Sequence, residues 1–220
     1  MKKYDTKRIV TLGLMAALAF AAVALIRIPA VSFLKYEPKD VLLAITGFLF
    51  GPIDALIVTV VVSLVEMATV STTGPIGLLM NVISSCSFVC IAAALYQKRR
   101  TLKGAVIGLG IGVVIMTAIM ILWNYLITPI YQGVPRPVVA GMLVPVFLPF
   151  NLVKGTLNAA LTMLLYKPVV ETLRKAKLAP QSDHAAGHTG KAAIKPSVLV
   201  ISLFVAATCI MIFLVMSGTI

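Results

Sequence analysis

Charge is scarce in this chain. Of its 220 residues 12% are Asp, Glu, Lys or Arg, whereas 60% are hydrophobic. Soluble domains carry roughly 25% charged residues. This composition leaves too little polar surface to clothe a water-soluble fold, and lipid is the solvent that remains. Within lipid every backbone polar group must be paired, which leaves helices or a closed barrel. The apolar runs are long and continuous rather than alternating. Barrel strands are thereby excluded, and the runs read as membrane-spanning helices.

Cysteine and histidine are also few. Cys86, Cys90 and Cys209 all lie inside apolar runs, so there is no disulfide framework. Cys86 and Cys90 share a helix face, but no His or further Cys joins them, and they read as small buried residues. His184 and His188 lie four apart in a polar Gly/Ala stretch after Pro180, away from any core. No metal site, catalytic residue or cofactor is expected. The chain has no Walker A loop, GxSxG elbow or HExxH helix. It shows no carboxylate pair set for acid–base work, so it does not read as an enzyme. The absence of inverted repeats of broken helices counts against a secondary carrier.

What is present is positive charge, net +12. It falls mostly in short segments between apolar runs, the pattern of topology signals and contact with anionic lipid, not of a nucleic-acid footprint. The runs predict spans at about 9–28, 39–50, 53–70, 76–96, 104–127 and 149–166, with a seventh at 197–216. The second is short and joins the third through Gly51-Pro52, giving a helical hairpin. Residues 128–149 hold five prolines and cannot form one regular helix. An uncleaved first span with a cytoplasmic N-terminus puts three basic clusters on one side: Lys2 to Arg8, Lys98 to Lys103, and Lys167 to Lys177. The outer segments then hold only Lys35, Lys39 and Arg136. The expected organisation is an all-α membrane domain over residues 1–175, a polar cytoplasmic linker over 176–196 and the seventh span within 197–220.

Polar residues inside spans point to function, because burying them in hydrocarbon is costly. In the sixth span Asn151, Lys154, Asn158 and Thr162 share one face, opposite Leu152, Val153, Leu157, Leu161 and Leu164. The fifth span adds Thr117, Asn124 and Thr128, with Trp123 and Tyr125 beside Asn124. The fourth adds Gly77, Asn81, Ser84 and Ser85. Three helices thus bring amides towards the outer half of the bilayer, as an outward-opening pocket requires. Glu66 is a further intramembrane candidate. Asp54 reads as structural, near the cytoplasmic edge where water can solvate it. Gly13, Ala17 and Ala21 repeat every four residues, a spacing that admits close helix approach.

Several segments resemble a known family. The run Phe33-Leu-Lys-Tyr-Glu-Pro-Lys-Asp40 followed by Gly47-Phe-Leu-Phe-Gly-Pro52 is similar to the first loop and second helix of RibU-type proteins. These are the riboflavin-binding S components of energy-coupling factor (ECF) vitamin transporters. Gly74-Pro-Ile-Gly-Leu-Leu-Met-Asn81 resembles the entry to their fourth helix, and Pro149-Phe-Asn-Leu-Val-Lys-Gly155 resembles their sixth-helix motif. The likeness covers about residues 5 to 175.

The resemblance implies a six-helix bundle in the plasma membrane that binds riboflavin near its outer face. It places flavin contacts on Asn124, Asn151 and Lys154, with Leu34, Lys35 and Tyr36 and with Gly77, Leu78, Leu79 and Asn81 closing over the ligand. It makes Gly13, Ala17 and Ala21 the docking surface for a transmembrane coupling subunit. ATP hydrolysis belongs to two partner ATPase subunits. The seventh span departs from the six-helix pattern. An S component for FMN or another vitamin is the nearest alternative. A stand-alone carrier coupling protons through Glu66 or Lys154 is another.

Overall fold

The computed structural model describes residues 5–31, 34–71, 73–179 and 196–218. Most of the polar linker, with His184 and His188, and part of the Phe33 motif lie outside them. The elements run in the order α1 (Thr6–Leu25), β1 (Ile28–Val31), β2 (Leu34–Tyr36), α2 (Lys39–Phe50), α3 (Pro52–Thr69), α4 (Gly74–Arg99) and α5 (Leu102–Gln132). There follow α6 (Arg136–Met142), a π-helical turn (Leu143–Phe147), α7 (Leu148–Lys175) and α8 (Pro196–Met216). Among the described residues, six helical segments are long and apolar enough to cross a membrane. At 12 residues α2 falls short of them, at about 18 Å against a hydrocarbon core of about 30 Å.

Punctuation in the sequence sets the helix ends. Gly51 adopts φ +106, so it turns the chain between α2 and α3, and Pro52 opens α3 where a missing N–H costs nothing. The Thr101 side chain accepts from the Gly104 N–H at 3.1 Å and caps α5. That helix runs past Ile127 and through Pro129 before stopping at left-handed Gly133. Pro129 sits in the last turn, so its lost donor leaves few carbonyls unpaired. The segment beyond it breaks into α6 and the π-helical turn, with Pro135 and Pro137 at the start of α6 and Pro145 within the turn.

Residues 29–38, expected as a loop, contain a two-stranded antiparallel hairpin with Ile28 opposite Tyr36 and Pro29 opposite Lys35. Burial alternates along β2: Leu34 and Tyr36 face in and Lys35 faces out. This period-2 pattern fixes which side of the hairpin meets the bundle.

The core forms three clusters, the smallest packing Met15 of α1, Val41 and Ile45 of α2, and Val170 and Leu173 of α7. One cluster joins α1 to α5 through Phe48, Phe88, Leu109 and Met116. In it α4 and α5 pack backbone to backbone. A Cβ on Gly108 would lie 2.8 Å from the Ala92 carbonyl oxygen, and one on Gly112 would lie 2.7 Å from that of Phe88. A second cluster joins the hairpin, α7 and α8 through Leu34, Tyr36, Phe147, Phe150, Leu157 and Phe213. Leu157, on the face of α7 opposite the polar stripe, is buried there beside α8 residues.

Two charges sit differently from the sequence expectation. Asp54 is not solvated at a membrane edge: it is 1% exposed and accepts hydrogen bonds from the Arg8 guanidinium, tying α3 to α1. Lys39 is not an outer-loop charge: it is 1% exposed and ion-paired to Glu66 at 2.5 Å.

Candidate ligand-binding site

A cavity of about 240 Å³ opens at one end of the bundle. The ends of several elements converge on it. Its lining includes Arg27 just after α1, Leu34 and Lys35 of β2, Glu66 near the end of α3, and Gly77 and Asn81 in the first turns of α4. Trp123 and Asn124 come from the second half of α5, and Phe150, Asn151 and Lys154 from the start of α7. This end is opposite the one carrying Lys98 to Lys103 and Arg174, because each span reverses the chain.

Its polar groups have fixed roles. The Asn124 amide donates to the Met120 carbonyl at 2.6 Å, and its oxygen accepts from Thr128 at 2.9 Å. The Asn151 amide donates to the Phe147 carbonyl at 2.7 Å, four residues back in the π-helical turn. Asn81 donates to Glu66 at 3.0 Å. Carbonyl and carboxylate oxygens can only accept, so these contacts fix which way each amide points. The carbonyl oxygens of Asn81 and Asn151 make no hydrogen bond among the described residues, which leaves acceptors at the cavity wall.

Lys154 is the complementary donor. It is 9% exposed, and its ammonium makes no hydrogen bond or ion pair among the described residues. Its charge acts on the Glu37 carboxyl, and its N–H donors stay available to an acceptor brought into the cavity.

Below the cavity lies a charged cluster. Glu66 takes Lys39 on one oxygen, and Arg27 at 3.5 Å and Asn81 on the other. Glu37 bridges Arg27 at 3.2 Å and Lys39 at 3.6 Å. Burial raises the Glu37 carboxyl above its ordinary range, against the pull of Lys39. The cluster links the loop before α2 to α1, α3 and α4, so it holds the cavity floor by charge pairing across four elements.

Seven of the ten ligand-contact positions named in the sequence line the cavity: Leu34, Lys35, Gly77, Asn81, Asn124, Asn151 and Lys154. Tyr36, Leu78 and Leu79 are not among the lining residues. Tyr36 is buried behind the wall, where its hydroxyl donates to Asn158 at 2.9 Å. Asn158 in turn donates to Asp40 at 3.2 Å, and Ser85 donates to the same carboxylate at 2.5 Å. Leu79 is 54% exposed on the outside of α4. Trp123 lines the cavity, whereas Tyr125 is exposed on the helix exterior. Arg27 and Glu37 were not singled out from the sequence. Their signal is opposite charge ten residues apart across the hairpin. On α1, Gly13 and Ala17 are exposed and Ala21 is half-buried.

A model of the family described as ECF transporter, substrate-specific component, matches residues 7–166. The chain belongs to that family. It is 28% identical over 185 residues to the riboflavin transporter RibU of Staphylococcus aureus (strain TCH60), covering 78% of this chain and 94% of the relative. It is 27% identical over 191 residues to the riboflavin transporter FmnP of Bacillus subtilis (strain 168), covering 78% and 98%. Among solved structures it is similar to one described as the S component of a bacterial ECF transporter. The TM-score is 0.65 at 29% identity, over 76% of this chain and 98% of that one. The chain is therefore a multi-pass membrane S component, the substrate-specific part of an ECF transporter. Helix α8 lies beyond the residues that the family model matches.

Proposed function

We propose that this S component binds riboflavin in the cavity between α4, α5, α7 and the hairpin, on the outer side of the plasma membrane. A transmembrane coupling subunit and two ATPase subunits then drive its release inside. The observation that carries the reading is Lys154, a cavity-lining side chain whose ammonium makes no hydrogen bond among the described residues, set beside amides that offer carbonyl oxygens. The flavin imide edge alternates carbonyl acceptors with an N–H donor, so it matches donor Lys154 and acceptors Asn81 and Asn151. Trp123 and Phe150 supply apolar wall for the ring system. The relatives named as riboflavin transporters support the same ligand. Lys7 and Arg8, Lys98 to Lys103, and Lys167 to Lys175 lie at the end away from the cavity and support an N-terminus in the cytoplasm.

FMN is the second reading, favoured by exposed Lys35 at the cavity wall, where a phosphate can be met. A proton-coupled carrier built on Glu66 is disfavoured, because Glu66 is already held by Lys39, Arg27 and Asn81. The outward face of Gly13 and Ala17 supports docking of the coupling subunit on α1.

The test is a titration of the purified protein that follows quenching of flavin fluorescence, with FMN as competitor. Saturable quenching by riboflavin, weakened in Lys154→Ala and Asn151→Ala, is the expected result. A folded, ligand-free sample that quenches neither flavin overturns the assignment. Preference for FMN that disappears in Lys35→Ala transfers it to the phosphorylated ligand.

A further inference from the structure

Helix α8 lies outside the part of the chain that the family shares, and it does not pack evenly. Its buried residues, Ser202, Ala206, Cys209 and Phe213, form one stripe. Along Val198 to Val205 it stands off α5 and α7 across an apolar groove of about 500 Å³. At the other end it joins the core cluster of the hairpin and α7. A helix serving only as a tether has no reason to pack firmly at the cavity end alone.

Phe213 makes the decisive contacts. It is 2% exposed, and its ring centroid lies 5.2 Å from that of Tyr36 and 5.9 Å, edge-on, from that of Phe150. Phe150 is itself a wall of the cavity. Tyr36 anchors β2 to α7 through Asn158, and the next residues back along that strand, Lys35 and Leu34, line the cavity. One α8 side chain therefore braces two sides of the site from behind without touching its interior.

We propose that α8 is a working part of the binding site, and that Phe213 is a positioning residue that holds β2 and Phe150 in their ligand-binding arrangement. By resisting outward movement of β2 it sets how long a ligand stays bound. The inference rests on the riboflavin reading for its ligand, but its mechanical claim concerns the hairpin alone.

The test uses the full chain in lipid nanodiscs with Phe213→Ala, the milder Phe213→Leu, and Phe204→Ala as a control. Phe204 is 71% exposed on the outer side of α8. Riboflavin release is followed after a chase, and backbone hydrogen exchange is followed over residues 28–36 without ligand. Loss of both ring contacts predicts release faster by roughly tenfold in Phe213→Ala, less in Phe213→Leu, with little change in association rate. Exchange in the strands rises in the same order, and Phe204→Ala matches the unaltered protein. A lower melting temperature with unchanged release and unchanged strand exchange overturns the proposal and leaves α8 as scaffold. If the unaltered protein binds no riboflavin, the ligand assignment falls. Exchange over 28–36 then decides alone: faster exchange upholds the positioning role and unchanged exchange overturns it.

Discussion

Replacing Lys154 with methionine separates binding from stability, because binding should fall while ligand-free stability changes little. Methionine keeps the length of the side chain and removes the ammonium. In the ligand-free protein that ammonium is 9% exposed and has no hydrogen-bond or ion-pair partner among the described residues. The nitrogen lines the cavity and its charge acts on Glu37, so Lys154→Met should leave ligand-free stability within about 1 kcal/mol. On the proposed riboflavin reading, the ammonium donates a charge-assisted hydrogen bond to the ligand, worth about 1.5–3 kcal/mol. Its loss should weaken binding by roughly 10- to 150-fold. Thermal unfolding without ligand reads the first effect, and fluorescence-quenching titration reads the second. A variant that melts far from the unaltered protein, or binds within about twofold of it, refutes the argument that the ammonium serves the ligand rather than the fold.

Other perturbations test the scaffold. Glu66→Gln leaves the ammonium of Lys39, which is 1% exposed, with Glu37 at 3.6 Å as its remaining counter-charge, and should destabilise the fold by about 1–3 kcal/mol. The double variant Glu66→Leu with Lys39→Met should recover much of that loss in thermal unfolding. Gly108→Ala forces a Cβ against the Ala92 carbonyl and should cost about 1–3 kcal/mol, whereas Gly110→Ala meets open space and should be neutral or mildly stabilising. Unfolding midpoints of the two variants, measured side by side, check the contrast. Ala17→Trp, on the exposed face of α1, should leave flavin quenching intact while abolishing uptake in cells that hold the partner subunits. Normal uptake would move the docking surface elsewhere.

Periodicity made the helices and the polar face of α7 legible. Asn151, Lys154, Asn158 and Thr162 are all buried, as their shared face demands. Within that face, however, only Asn151 and Lys154 line the cavity. Asn158 serves Tyr36 and Asp40, partners more than a hundred residues away along the chain. A helical period tells which residues point inward, but not what meets them. The same limit hid the pairing of Lys39 with Glu66 and of Arg8 with Asp54. Lys39, Arg8 and Asp54 sit beside span boundaries, where solvation is the simpler expectation, and only the folded bundle supplies their counter-charges. The extent of α5 was hidden because a proline in a last turn ends a helix in most contexts and not in this one. The packing of α8 was illegible for another reason. With apolar residues all round, its sequence does not distinguish a face against lipid from a face against protein.

The brevity of α2 has a consequence for how the protein is made. Twelve residues that begin with Lys39 and Asp40 cannot partition into a bilayer alone. The segment must enter joined to α3 through the Gly51 turn, and it becomes stable only when α1, α4 and α7 have closed around it. Nine of its twelve residues are buried by those neighbours. The β2 strand, two residues before α2, cannot settle until that insertion is complete. The ligand site is therefore the last region of the molecule to mature, and a newly made chain that captures its vitamin has already passed every earlier step of its assembly.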